Sequence, residues 1–123
     1  MKIRTHKDLE VYQLAFEAAK EIFEISKTFP REEKYSLTDQ IRRSSRSVCS
    51  NIAEAFRKRR YPKNFVSKLS DSEGEAAETQ VWLDFCLDSS YIQEDVHLRL
   101  YNKYDHIIGK LVNMSNHPEN WTL

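Results

Sequence analysis

The sequence predicts an all-α fold, an antiparallel up-and-down four-helix bundle. Three observations predict it. Apolar residues recur at alternating spacings of three and four along separate segments, the pattern of a helix face. No segment shows the strict alternation of a half-buried strand, and no internal repeat is visible. With only 2 glycines and 3 prolines in 123 residues, the chain lacks the turns of hairpin-rich β folds and the glycine loops of nucleotide-binding folds. This length predicts one domain over residues 1–123, with a core that needs no disulfide or metal.

Residues 8–28 are predicted as the first helix. Leu9, Tyr12, Phe16, Ala19 and Phe23 fall on one face, expected to meet the bundle core. Val11, Leu14, Ala18, Ile22 and Ile25 form a second apolar row. One apolar stripe is enough for an ordinary surface helix, so this helix is expected either to sit centrally in the domain or to touch another subunit, and the second row is the candidate subunit contact. Phe29-Pro30 stops the helix, and Arg31 to Tyr35 read as a polar loop.

Residues 37–60 are predicted as the second helix, capped by Ser36 with Asp39 as the reciprocal partner. Leu37, Ile41, Ser44 or Ser45, Val48, Ile52, Ala55 and Phe56 make its inner face. Pro62 after Tyr61 suits a first helical turn and opens the third helix, residues 62–89. Its seam is Phe65, Leu69, Ser72, Ala76, Thr79, Leu83 and Cys86 or Leu87. Small residues in the middle of these rows let helices approach closely, and close approach is the expected reason for Gly74. Val81, Trp82 and Phe85 lie off the seam; Trp82 and Phe85 facing outward predict a second subunit interface. The fourth helix, residues 93–115, carries Leu100, Tyr101, Tyr104, Ile107, Ile108 and Leu111 on a narrow stripe. The tail is expected to be irregular, with Trp121 docked on the bundle.

Lysine plus arginine number 19, as do aspartate plus glutamate, so the net charge is zero. Global charge therefore steers nothing, but the charges are segregated. Residues 40–68 hold 9 basic residues and one acid, Glu54, whereas residues 69–99 hold 8 acids and one base, Arg99. Arg42, Arg43, Arg46 and Arg57 share the outer side of the second helix, and Lys58, Arg59, Arg60 and Lys63 extend the row into the turn. Arginine forks fit phosphate oxygens, so this face is a candidate nucleic-acid contact. Tyr61 beside it is placed to stack on an unpaired base. The competing readings are a solvated face, cations favouring a helix C-terminus, and pairing with the acids of the third helix.

Catalytic and metal patterns are weak. Glu94-x-x-His97 is the only Glu-x-x-His, where a di-iron bundle needs two. The four histidines share no ligand spacing, and no serine has a base marked beside it. No cofactor or metal is expected, and the chain is read as a non-enzyme. The opening residues are charged, and no run approaches the roughly 18 apolar residues of a membrane span. Cys49 and Cys86 lack C-x-x-C spacing and read as reduced thiols, so a cytoplasmic setting is expected.

Residues 37–56, LTDQIRRSSRSVCSNIAEAF, resemble the signature of bacterial proteins associated with intervening sequences of 23S ribosomal RNA, often labelled S23 ribosomal protein. The family includes an accessory protein of diversity-generating retroelements. The resemblance extends to Leu9-Glu10-Val11-Tyr12-Gln13-Leu14-Ala15, Phe29-Pro30, Ser72-x-x-Glu75-x-x-x-Thr79-Gln80 and Tyr91-Ile92. It implies a four-helix bundle that assembles as a ring-like homopentamer, and for retroelement members contact with nucleic acid and a reverse transcriptase. The chain departs from the pattern at Cys49, where members commonly carry proline, so a kink there is open. It also departs at Ala55-Phe56, where members commonly have glycine after Asn-Ile-Ala-Glu. The second helix is therefore expected to run on through the basic cluster.

The resulting expectation is a homo-oligomeric bundle that binds RNA or DNA through Arg42, Arg43, Arg46, Arg57, Lys58, Arg59, Arg60 and Lys63. Its oligomer contacts are expected at Val11, Leu14, Ala18, Ile22, Ile25, Trp82 and Phe85. The alternative is a protein scaffold or accessory subunit, for example of a reverse transcriptase, with no direct nucleic-acid contact.

Overall fold

Four helices carry the fold: α1 (Glu10–Ser26), α2 (Leu37–Arg57), α3 (Pro62–Asp88) and α4 (Glu94–Asn116). They are seen in a computed structural model that describes residues 3–122; Met1, Lys2 and Leu123 lie outside the described residues. Short 3-10 turns at His6–Asp8, Arg31–Glu33 and Pro118–Asn120 complete the order, with no strand among the described residues. Each helix packs on two neighbours: α1 and α3 both meet α2 and α4, and the diagonal pairs stay apart. The register is antiparallel. Going up α3, Lys68 meets Glu54, Ser72 meets Val48 and Thr79 meets Ser44 on α2.

Most boundaries follow local chemistry. Thr5 and Asp8 form a capping box over the first 3-10 turn. Ser36 makes no side-chain cap bond to α2. Glu33 does that work: its carboxylate accepts from the Leu37 N–H at 3.3 Å and from the Tyr91 hydroxyl at 2.8 Å. The Ser36 hydroxyl also donates to Glu33. The acceptor thus comes from the preceding loop, and the expected Ser36–Asp39 box does not form.

α2 is continuous through Cys49 but stops at Arg57, so the expected run through the basic cluster is shorter than predicted. Pro62 disfavours helical geometry at the residue before it, and Tyr61 is extended at φ −118°, ψ 94°. The chain tightens into a turn, with Tyr61 N–H donating to Lys58 O at 2.9 Å. α3 ends in a Schellman motif: Tyr91 N–H donates to Cys86 O and Ser90 N–H to Leu87 O. Ser90 takes the left-handed position, at φ 64°.

Ile22, Ile41, Ile52, Leu69, Leu83, Leu100, Ile107 and Leu111 are fully buried at the bundle centre. Each such side chain contributes about 1.5–3 kcal/mol relative to exposure. The α2–α3 contact is lined by small polar residues. Ser72 Oγ donates to the Val48 carbonyl at 2.8 Å, which satisfies a buried hydroxyl while the backbones approach.

The inner face of α1 departs from the expected one, although Leu9 just before the helix is buried as expected. Val11, Ala15, Ala18, Ile22 and Ser26 are buried in the core, and Leu14 and Ile25 pack on its edge. Val11, Ala18 and Ile22 are therefore buried within the chain, while Leu14 and Ile25 are half-buried at the core's edge, so the five do not form one outer interface row. Of the aromatic row, Phe16 turns outward at 46% exposed, and Tyr12 and Phe23 are half-buried. Small and β-branched residues let α1 lie close to its neighbours, where Tyr12, Phe16 and Phe23 would hold it away. Gly74 is also corrected: it is exposed, and an added Cβ would meet nothing within 4 Å. Trp121 is partly buried against the core, as the sequence reading expects.

Candidate nucleic-acid interface

The basic residues predicted from sequence fall into two groups. Arg42 and Arg46 lie on the α1 side of α2, their guanidinium carbons 4.7 and 5.2 Å from the Phe23 ring centroid. Arg42 Nε also donates to Ser26 Oγ at 2.7 Å, so this side chain is held. Arg43 is exposed toward α3, where its charge acts on Glu75. Partial burial, then Glu78, pushes the Glu75 carboxyl up, and Arg43 opposes them.

The second group is the α2–α3 turn. Arg57, Lys58, Arg60 and Lys63 are exposed, as is Tyr61. Arg59 is half-buried; its guanidinium carbon sits 3.7 Å from the Phe56 ring centroid and its Nε donates to the Phe56 carbonyl at 2.9 Å. Phe56, Arg57, Arg59, Arg60 and Tyr61 line a polar cleft of about 290 Å³. The turn feeds the N-terminus of α3, which has no side-chain cap and no acid in its first turn. The positive end of the helix dipole therefore adds to the local cationic field.

Eleven residues separate Arg46 from Arg57, about 17 Å of helix. The single acid between them, Glu54, is paired with Lys68 at 2.8 Å. That hydrogen bond and charge hold the Glu54 carboxyl below its usual range. None of the eight predicted contact cations pairs with a carboxylate among the described residues. Intramolecular pairing with α3 thus leaves the basic turn unneutralised. The acids instead form their own surface: Asp71, Glu75 and Glu78 share a shallow groove with Asn51, Ser70 and Gly74.

His97, of the lone Glu-x-x-His, faces Asp84 with Nε2 2.8 Å from Oδ1. No group of three metal-ligating side chains occurs among the described residues. Burial pushes the Cys49 thiol up to about 11 and the Cys86 thiol up to about 12, so neither presents a thiolate near neutral pH. No helix among the described residues is long and apolar enough to cross a membrane.

The outward aromatics were missed as surface by periodicity. Tyr12, Phe16, Ala19 and Phe23 line an apolar groove between α1 and α2, floored by Cys49 and Ala53, of about 510 Å³. The sequence signal for it is the run of small residues Cys49, Ser50 and Ala53 on the facing side of α2.

A family model described as 23S rRNA-intervening sequence protein matches residues 7–113. Among solved structures, the bundle is similar to a protein of unknown function from the S23 ribosomal protein family of Bacteroides thetaiotaomicron VPI-5482. The two are 28% identical with a TM-score of 0.78, over 86% of this chain and 95% of that one. No curated protein matches the chain.

Proposed function

The chain belongs to the 23S rRNA-intervening sequence protein family, and from that premise we propose that it is a non-enzymatic protein that binds nucleic acid through the α2–α3 turn. The observation that carries this reading is the unpaired state of Arg57, Lys58, Arg60 and Lys63 beside an uncapped helix N-terminus. Buried carboxylate partners would have marked the cluster as assembly chemistry; it has none among the described residues. Arg43 and Arg46, about 17 Å up α2, supply a second contact, about five phosphates away along a duplex strand.

The mechanism is charge neutralisation with counterion release. Guanidinium and ammonium groups replace condensed cations along the backbone, so affinity falls steeply with salt. Such contacts position the protein and carry little base information. The family's description directs the first probe to a structured RNA, where shape and phosphate contacts dominate recognition. A cytoplasmic setting suits two free, buried thiols.

Fluorescence anisotropy of a labelled RNA hairpin and of a duplex DNA tests this at about 50 and 200 mM salt. Six phosphate contacts predict a loss of about a thousandfold in affinity between the two salts. Arg57→Glu with Arg60→Glu should abolish binding while leaving the helical circular dichroism unchanged. Wild-type protein that fails to bind either probe at the lower salt refutes the proposal.

A second reading is self-association, and a specific observation favours it. Phe16, Val81 and Phe85 are 46%, 47% and 53% exposed on the single chain, as is Leu98 at 60%. Large exposed apolar groups of this kind mark contact surfaces. Sedimentation velocity of the wild-type protein tests it directly.

A further inference from the structure

We propose that the cleft at the α2–α3 turn takes one unpaired nucleotide, with its base laid on the Tyr61 ring and its flanking phosphates on Arg57 and Arg60. This rests on the nucleic-acid reading and adds to it the structure selected, an unpaired base over a continuous duplex.

Tyr61 stands apart from the other exposed aromatic side chains, Phe16, Tyr35 and Phe85. Phe16 has the Tyr12 ring 6.0 Å away, Phe85 has the Trp82 ring at the same distance, and Tyr35 has the Lys34 nitrogen 5.3 Å from its centroid. Tyr61 is 58% exposed, and among the described residues neither a ring nor a cation lies over it. Its backbone, by contrast, is held at both ends. The Tyr61 N–H donates to the Lys58 carbonyl, and its own carbonyl accepts from the Phe65 N–H, both at 2.9 Å. Pro62 follows with a fixed φ. A bare ring on an anchored stretch of chain is a stacking platform.

The surroundings choose what stacks there. Residues 55–70 contain no acid, and Arg57 and Arg60 line the same cleft as Tyr61. Phe56 and Arg59, stacked on each other, line it too. At about 290 Å³ the cleft lies near the lower end of small-ligand sites, about 300 Å³, with room for one base and not for a base pair. An aromatic face among cations, with no carboxylate nearby, fits a ligand that is both flat and polyanionic. An acidic peptide would satisfy the cations and leave the ring bare. A continuous duplex would do the same, because each base face inside it is covered by the next base. An unpaired nucleotide, splayed from a bulge or loop, satisfies the ring and the cations together.

Fluorescence anisotropy at about 50 mM salt tests this with three labelled RNA duplexes. One is fully paired, one carries a single bulged adenosine, and one carries an abasic nucleotide at the same bulge. The abasic probe keeps the phosphates and the bend of the bulge and lacks only the base. Wild-type protein is expected to bind the adenosine bulge about tenfold tighter than either other probe. Tyr61→Leu should remove that preference and leave the affinity and salt slope for the paired duplex unchanged, whereas Tyr61→Phe should keep the preference. The abasic comparison uses wild-type protein, so it decides the matter even if a variant fails to fold. Failure to bind any of the probes overturns the nucleic-acid reading, and the stacking site with it. Binding that is equal for the adenosine and abasic bulges overturns the stacking site alone. So does a folded Tyr61→Leu that keeps the preference, or that weakens all three probes alike.

Discussion

Thr79 Oγ1 lies 2.8 Å from Ser44 Oγ, a hydrogen bond between two buried hydroxyls that ties α3 to α2. Thr79 also bonds the Glu75 carbonyl one turn back, at 2.9 Å. Together with Ser72 on the Val48 carbonyl, this makes the α2–α3 seam polar but satisfied. Thr79→Val keeps the shape and removes the hydroxyl. It should cost about 1 kcal/mol, or roughly 4 °C in Tm. Ser44→Ala removes the same bond from the other side, so the double variant should lose less than the two singles added together. Urea unfolding of the four proteins checks both points.

Gly74 and Ser90 are each the wrong residue for their backbone. Gly74 sits exposed inside α3, and a Cβ there meets nothing. Gly74→Ala should stabilise the protein by about 1 kcal/mol, because alanine is the better helix former. Ser90 occupies a left-handed position at φ 64°, where a Cβ is unfavourable. Ser90→Gly should also raise stability, by about 1 kcal/mol. A thermal melt of each variant should move upward; a fall for Gly74→Ala would show that the site needs glycine for a reason other than intramolecular packing.

Periodicity reads the inner faces of α2 and α3 well because each has one unbroken seam of apolar and small residues at alternating spacings of three and four. Ile41, Val48, Ile52, Leu69, Ala76 and Leu83 all lie where the spacing puts them. It fails on α1 because that helix has two apolar rows, and the charged residues Glu10, Glu17, Glu21 and Glu24 lie opposite the boundary between them. The bulk of Tyr12, Phe16 and Phe23 reads as core material, yet the space available favours Ala15 and Ala18. The candidate site was legible as composition: the cations are where the sequence shows them. Their division into two groups was not, since it depends on Arg42 and Arg46 lying over Phe23 of another helix. The Glu33 cap escaped notice because its partner Tyr91 is 58 residues away in sequence.

Glu33 predicts an acid-sensitive component of stability. Hydrogen bonds from Ser36, then Tyr91 and the Leu37 N–H, hold its carboxyl below the ordinary value of 4.5. A carboxyl lowered by folding adds stability that is present above its unfolded pKa and lost as pH falls through the folded one. Glu33→Gln has one acceptor oxygen where the carboxylate has two, and no charge. It should lower Tm by a few degrees at pH 7. The gap from wild type should narrow once the pH drops below about 4.5. Thermal melts of both proteins between pH 3 and 7 make the comparison; a gap that stays constant with pH would mean that the carboxylate charge contributes nothing there.

Arg59 and Arg60 are neighbours with different duties. Arg59 stacks on Phe56 and bonds its carbonyl, closing the C-terminus of α2, whereas Arg60 is exposed and its side chain makes no hydrogen bond or ion pair among the described residues. Arg59→Ala should therefore lower stability by about 1 kcal/mol, from the lost stacking and the lost side-chain hydrogen bond. Arg60→Ala should leave Tm unchanged within error. In the anisotropy assay, Arg60→Ala should weaken RNA hairpin binding and reduce the salt slope by about one. Arg59→Ala should alter that slope less, because its guanidinium is already engaged with Phe56. Equal slope changes for the two variants would show that RNA draws Arg59 off the ring, and no change for either would move the phosphate contact away from this turn.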